Sequence, residues 1–261
     1  SGPVDASRCI LQYADSALVG FAGMYSWGDV TEVELVILVH PDVRRQGIGR
    51  RLLHAAVHQC RERGVTQLLL VVPRELPGSA AFARQAGARH MRAEYTLDLD
   101  TARIPASPRS AHAVELRMAG ADDIPVMAAI AGAAFNVPFE EEQRSLTRLM
   151  RDEARTTWLA ALDGSPVGVI QSADDDGRMF IVHFAVRPEM QGRGIGRQML
   201  LAIVRGLLDT GRQRIAIEVE TDNEHALGLY QSCGFVTASV TDYEQVALET
   251  GPTAPGLLFG D

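Results

Sequence analysis

Apolar and polar positions follow the same succession twice along this chain. In the later half, Ala113–Arg117 alternates as a short strand. Val126, Met127, Ile130 and Ala134 then recur at helical spacing behind Asp122, Asp123 and Pro125, an acidic, proline-marked first turn. A second helix is predicted from Glu140 to Asp152. Thr157–Leu162 and Pro166–Ala173 read as a hairpin turning at Asp163-Gly164. Met179–Val186 is a strongly apolar strand. The helix after it places Ile195, Met199, Ile203 and Leu207 four apart and ends before Gly211. Arg214–Glu220 is a further strand. Thr221 and Glu224 have the spacing of a capping box, which predicts a helix from there past Tyr230 to Gly234, before a last strand at Phe235–Val246.

The earlier half repeats this order. Cys9–Tyr13 and Leu18–Ser26 make the hairpin, and Glu32–Val39 the apolar strand. A helix buries Ile48, Leu52, Ala56 and Cys60 and ends at Gly64. Gln67–Pro73 and Met91–Leu99 supply later strands. The repeat is sharpest where strand gives way to helix: Val39-His40-Pro41-Asp42-Val43-Arg44-Arg45-Gln46-Gly47-Ile48-Gly49-Arg50 recurs as Val186-Arg187-Pro188-Glu189-Met190-Gln191-Gly192-Arg193-Gly194-Ile195-Gly196-Arg197, each residue 147 positions on. A repeat of that length is a duplicated domain. Two domains are therefore expected, over 1–100 and 113–261, joined by a proline-containing linker at Thr101–Ala113. The piece matching Glu115–Arg155 has no counterpart before Arg8, so the first domain reads as truncated. Its absence predicts exposed apolar surface there, covered by the second domain or by a second chain, as in a homodimer.

A glycine-rich turn between a strand and a helix is an anion site, because unpaired backbone N–H groups and the positive end of the helix converge on it. A dinucleotide fingerprint needs a third glycine where this chain has Leu52 and Met199, and a Walker loop needs Gly-Lys-Ser/Thr, which is absent. The turn could also serve only to pack helix on strand, but its recurrence in one context weighs against that.

Composition narrows the classes. Hydrophobic residues at 46% supply real cores, and no apolar run reaches the roughly 20 residues of a membrane span. A net charge of −8 gives no support to nucleic-acid binding. The three cysteines, Cys9, Cys60 and Cys233, are scattered, which suits a reducing cytoplasm and argues against a disulfide framework or a metal site. Ser1-Gly2-Pro3 reads as the scar of a cleaved tag or a trimmed start.

The signature Gln/Arg-x-x-Gly-x-Gly/Ala is met by Arg44-x-x-Gly47-x-Gly49 and by Gln191-x-x-Gly194-x-Gly196. Asn223-x-x-Ala226-x-x-x-Tyr230-x-x-x-Gly234-Phe235 follows the second copy. On these residues the chain resembles the GNAT superfamily of N-acetyltransferases, in tandem form. The resemblance implies a mixed-sheet α/β fold and acetyl-coenzyme A as cosubstrate, without a metal. It assigns coenzyme A to Phe184, Ala185, Val186, Gln191, Gly192, Arg193, Gly194, Ile195, Gly196, Arg197 and Asn223, and in the first copy to Val39, Arg44, Arg45, Gln46, Gly47, Ile48, Gly49 and Arg50. Backbone N–H groups near Phe184–Val186 would hold the oxyanion, and Tyr230 would protonate the departing thiolate. The first copy has Ala83 and Leu76 opposite Tyr230 and Asn223, which marks it as non-catalytic.

The base is not fixed. The family's usual central-strand acid falls on Phe180, with Val182 two further on. His183, Glu218 and Glu220 remain, or a water chain. His183 has the intrinsic range for a base, but strict alternation puts it on the face opposite Phe180, Val182 and Phe184 unless a bulge shifts the register. Cys233 has no local nucleophile signature and reads as a packing residue. Two readings result: an N-acetyltransferase acting on a small-molecule amine through its second copy, or a non-catalytic acyl-coenzyme A-binding or regulatory module. Acceptor choice would lie in the helices between Asp122 and Asp152, with Phe135, Asn136 and Phe139 in their joining loop.

Overall fold

The computed structural model describes residues 9–26, 31–106 and 113–248. In chain order its elements are β1 (Cys9–Ala14), β2 (Ala17–Tyr25), β3 (Glu32–Val39), α1 (Ile48–Glu62), β4 (Gln67–Pro73), α2 (Ser79–Gln85), β5 (Arg89–Leu99), β6 (Val114–Met118), α3 (Ile124–Phe135), α4 (Phe139–Leu149), β7 (Arg155–Leu162), β8 (Ser165–Asp175), β9 (Arg178–Val186), α5 (Ile195–Asp209), β10 (Ile215–Glu220), α6 (Glu224–Ser232) and β11 (Phe235–Val246). The linker expected at Thr101–Ala113 lies partly outside the described residues, at 107–112.

Two compact units form. One takes Glu94–Ser239; the other takes the residues up to Ala93 together with those from Val240 onward. In the amino-terminal unit, β1 and β2 pair antiparallel, β2 and β3 antiparallel, and β3 and β4 parallel. The outer edge of β4 is covered antiparallel by β11, from Thr241 opposite Pro73 to Val246 opposite Leu68. In the larger unit, β6, β7, β8 and β9 form antiparallel neighbours, β9 and β10 pair parallel, and β5 covers β10 antiparallel, with Ala216 opposite Asp98 and Glu220 opposite Glu94. Each unit is thus completed by a strand from the other copy of the repeat. An uncovered β4 or β10 edge would present a row of unpaired N–H and C=O groups.

The cores follow the periodicity. In the amino-terminal unit Leu35, Ile48, Leu52, Ala56, Cys60, Leu68 and Leu70 are buried together, and Val246 of β11 joins them. In the larger unit, Ile181, Met199, Leu200, Ile203, Ile217 and Phe235 pack on the α5 and α6 side, with Leu97 of β5 among them. Met127, Ile130, Leu146, Val169 and Ala185 fill the opposite side, under α3 and α4. A fully buried side chain of this size contributes about 2 kcal/mol.

One local expectation changes. The start of α6 is capped by Asn223, whose side chain accepts the Ala226 N–H at 3.1 Å, and not by Thr221. Glu224 is then the first helical residue, so the Thr221–Glu224 spacing caps nothing. The β8–β9 connection is a hairpin through Asp176 and Gly177, both at positive φ. In the amino-terminal unit Leu11, Tyr25 and Leu38 are exposed. Part of that surface is charged instead: Arg92 pairs with Glu32 and Glu34 and lies over the Tyr243 ring.

Candidate active site

The two glycine-rich turns adopt one conformation. A single 3₁₀ turn, Pro41–Val43 or Pro188–Met190, leads out of the strand. Gly47 and Gly194 then cap α1 and α5 in the left-handed region, at φ 75° in both. Arg45 and Gly192 occupy matching left-handed positions, at φ 65° and 75°. The first residue of the motif is an anchor: Arg44 Nε donates to the Val39 carbonyl at 3.1 Å, and Gln191 Nε2 donates to the Val186 carbonyl at 3.0 Å. The Gln/Arg choice thus preserves one hydrogen bond that ties the turn to its strand. Gly49 is small for a different reason. A Cβ on Gly49 would stand 3.2 Å from Phe82, so bare backbone lets α2 close over the first turn; one on Gly196 would make ordinary contact with Leu229 at 3.4 Å. Ladder bonding in α5 begins with Gln198 N–H to the Gly194 carbonyl, which leaves the first-turn N–H groups aimed outward as an anion cradle. Arg197 braces the cradle by donating to Ser232 Oγ at 2.8 Å, joining α5 to α6.

Beside this turn β9 leaves its neighbour. Pairing with β10 runs from Met179 opposite Ile215 to Ile181 opposite Ile217 and stops. Against β8 the register slips: Val169 faces Ala185, but Gln171 faces Val182, so β9 takes three steps where β8 takes two. The bulge falls on His183, at φ 47°. This conformation suits histidine better than a β-branched residue. Strict alternation therefore fails here. The bulge turns His183 toward α3 and α4, on the side that Val182 shares through its register with Gln171, while Phe184 packs on the α5 and α6 side.

His183 Nε2 lies 2.9 Å from Glu142 Oε1 of α4, and the imidazole meets the Phe135 ring edge-on at 5.3 Å. Both side chains are largely buried, at 14% and 6% exposure. The separation is that of an ion pair, yet neither atom has a well-aligned hydrogen bond. Glu142 was not legible as a site residue; it is the third of three consecutive glutamates in the first turn of α4, a pattern that reads as ordinary N-terminal charge.

Tyr230, in the last turn of α6, is 8% exposed. It stacks on Phe184 at 6.3 Å and meets Phe235 edge-on at 6.5 Å, which ties it to β9 just past the bulge. Burial pushes its hydroxyl up to about 12, so it is protonated at neutral pH. Cys233, one turn on, is fully buried, and that burial raises its thiol, the opposite of an activated nucleophile. Glu218 and Glu220 are exposed on β10, and Thr96 Oγ1 of β5 lies 3.4 Å from Glu218. In the first copy Ala83 is buried at the position matching Tyr230, and Leu76 is 54% exposed in a turn.

The parallel β9–β10 pairing thus ends beside the glycine-rich turn, and the buried Tyr230 ring stacks on Phe184 of β9 next to it. The model of the acetyltransferase (GNAT) family matches residues 4–88 and 125–235, and the chain belongs to that family. It is an acetyl-coenzyme A-dependent N-acetyltransferase. Similar curated proteins are the mycothiol acetyltransferases of Actinosynnema mirum, 29% identical over 88% of this chain and 80% of the relative, and of Propionibacterium freudenreichii, 30% identical over 82% and 71%. Among solved structures, a GCN5-related N-acetyltransferase from Sphaerobacter thermophilus superposes with a TM-score of 0.78 at 19% identity, covering 94% of this chain and 82% of that one. A tandem GNAT protein from the clavulanic acid biosynthesis pathway gives 0.71 at 20%, covering 94% and 85%. These two likenesses speak for the fold. No helix among the described residues is long and apolar enough to cross a membrane.

Proposed function

We propose that the second copy of the repeat transfers the acetyl group of acetyl-coenzyme A to the primary amine of a small molecule by direct attack. Coenzyme A lies with its pyrophosphate on the Gln191–Arg197 turn and its thioester in the gap between β9 and β10. The amine nitrogen forms a bond to the acetyl carbon, the carbon–sulfur bond breaks, and the nitrogen gives up two protons on the way from ammonium to amide. One must leave before attack. The second ends on the coenzyme A sulfur. The observation that carries this reading is Tyr230: a buried, protonated phenol held by Phe184 beside the gap. A reference thiol titrates near 8.5, so full transfer from a phenol near 12 is uphill. Tyr230 therefore acts first as a hydrogen-bond donor to the departing sulfur, and the proton follows as charge builds there.

The names of the curated relatives support a small acceptor; the apolar Phe180 and Val182 at the expected acid positions set this chain's site apart from the family pattern. The first copy keeps the turn but has Ala83 where the phenol would stand, which supports a structural part for it.

The test is Tyr230→Phe, assayed by coenzyme A release against an aminoglycoside, a polyamine, a peptide N-terminus and a cysteine-bearing thiol precursor. The expected outcome is a loss in kcat of roughly 100-fold with acetyl-coenzyme A affinity retained. Binding without turnover in the unsubstituted protein, on every acceptor, would favour a carrier module instead.

A further inference from the structure

We propose that His183 and Glu142 form an imidazole–carboxylate pair that takes the first proton from the acceptor's ammonium group, His183 as the proton acceptor and Glu142 as the residue that positions it. This rests on the second copy being the amine acetyltransferase.

Three observations converge. The β9 bulge exists at the one residue of the strand that can accept a proton near neutral pH, and it rotates that residue out of the alternation. Such a bulge costs ladder bonding and backbone strain, and strain of this kind clusters at working sites. Next, a carboxylate from α4 is buried against that imidazole at 2.9 Å. Here Glu142 Oε1 and His183 Nε2 both lack an aligned partner. Last, the side-chain oxygen of Gln171, fully buried, is also unsatisfied; its amide nitrogen is bonded to Thr157 at 3.0 Å. Gln171 shares this side of the sheet through its register with Val182.

Gln171 Oε1 and Glu142 Oε1 are acceptors, and a primary ammonium is a donor that suits them. Among the described residues the ion pair to the imidazole comes from Glu142 of α4, while α3 brings Phe135 and has no titratable residue, and β8 carries the neutral Gln171. The protons balance. The ammonium gives one proton to His183, and the positive charge so formed is offset by the Glu142 carboxylate. The neutral amine attacks, the second proton goes to sulfur, and imidazolium returns its proton to water.

The pair can be tested without the natural acceptor, because a base is needed only for a protonated nucleophile. Ethylamine is an ammonium ion at neutral pH; hydroxylamine is already neutral. Initial rates of enzyme-dependent coenzyme A release are compared for both, at neutral pH, in the intact chain and in Glu142→Gln and His183→Asn. Asparagine is chosen because it tolerates positive φ. Thermal melts and acetyl-coenzyme A affinity are measured alongside. The expected result is a loss of roughly 100-fold with ethylamine in both variants and a far smaller loss with hydroxylamine. Equal losses for the two nucleophiles, or none, would overturn the assignment. So would a wild-type protein that uses hydroxylamine but not ethylamine. A loss in His183→Asn alone would remove Glu142 from it. If Glu142→Gln does not fold, the contrast between nucleophiles in His183→Asn decides. Failure of the wild type with both nucleophiles and with every acceptor of the panel above would instead sink the transferase reading, and this one with it.

Discussion

Two glycines and one phenol carry most of what individual residues decide. Gly194 caps α5 at φ 75°, a conformation strained for any residue with a side chain, so Gly194→Ala distorts the cradle itself. Calorimetric titration with acetyl-coenzyme A should show affinity falling about tenfold or more, since each 1.4 kcal/mol of strain is a factor of ten. Gly47→Ala imposes the same strain on the first turn. If the second copy alone is catalytic, that change leaves turnover intact, and a loss of activity with Gly47 would reverse the assignment. Tyr230 carries a separate pH signature. Its folded value near 12 lies above the ordinary 10.0 because burial penalises the phenolate. The stability this contributes is complete below pH 10 and is lost as pH rises through about 12. Thermal melts of the wild type should therefore fall more steeply over that interval than those of Tyr230→Phe. Glycines two apart at a strand–helix junction, and a tyrosine at fixed distance from an asparagine, answer to few physical demands, which makes these residues legible in the sequence. His183 is legible only as one of several bases, since no rule of alternation foretells a bulge, and Glu142 is hidden among its acidic neighbours.

Among the elements, the amphipathic helices and apolar strands are the most legible, because burial of one face imposes the period. Their ends are less so. The α6 start moves from Thr221 to Asn223, whose side chain accepts the Ala226 N–H. The entry to α3 shows how an end gains stability. Asp123 accepts the Gly120 N–H at 2.8 Å and both guanidinium nitrogens of Arg117, at 2.6 and 2.7 Å. The Arg117 guanidinium, helped by the Gly120 N–H, holds the Asp123 carboxyl down to about 2, against an ordinary 3.8. A folded value below the unfolded one means the contribution is present above pH 3.8 and lost as pH falls through about 2. Asp123→Asn should lower stability at neutral pH by about 1 kcal/mol, a melting shift of roughly 3 °C. The gap between the two proteins should close by about pH 2. A gap that persists in acid would mean that the carboxylate charge is not what matters there.

At the scale of the whole chain, the repeat in sequence and the unit in space are different objects. The constant offset locates two copies, and it locates the matched turns residue for residue. It could not show that β5 of the first copy covers β10 of the second, or that β11 of the second covers β4 of the first, because a strand's sequence reports its burial and not its neighbour. This exchange has a consequence for fragments. A chain of residues 113–248 holds the whole second copy, yet it lacks β5. It loses Leu97 from the core and leaves the edge of β10 bare, with Ala216, Ile217 and Val219 buried along that strand. Such an edge invites pairing with other chains. The fragment should aggregate or melt without cooperativity. A fragment from Arg89 to Ser239, which restores β5 and keeps Phe235 of β11 in the core, should be monodisperse and melt in one transition. Size exclusion and calorimetry of the two would decide. A well-behaved 113–248 would mean that the exchange is a convenience of linkage, and that each copy can close its own sheet.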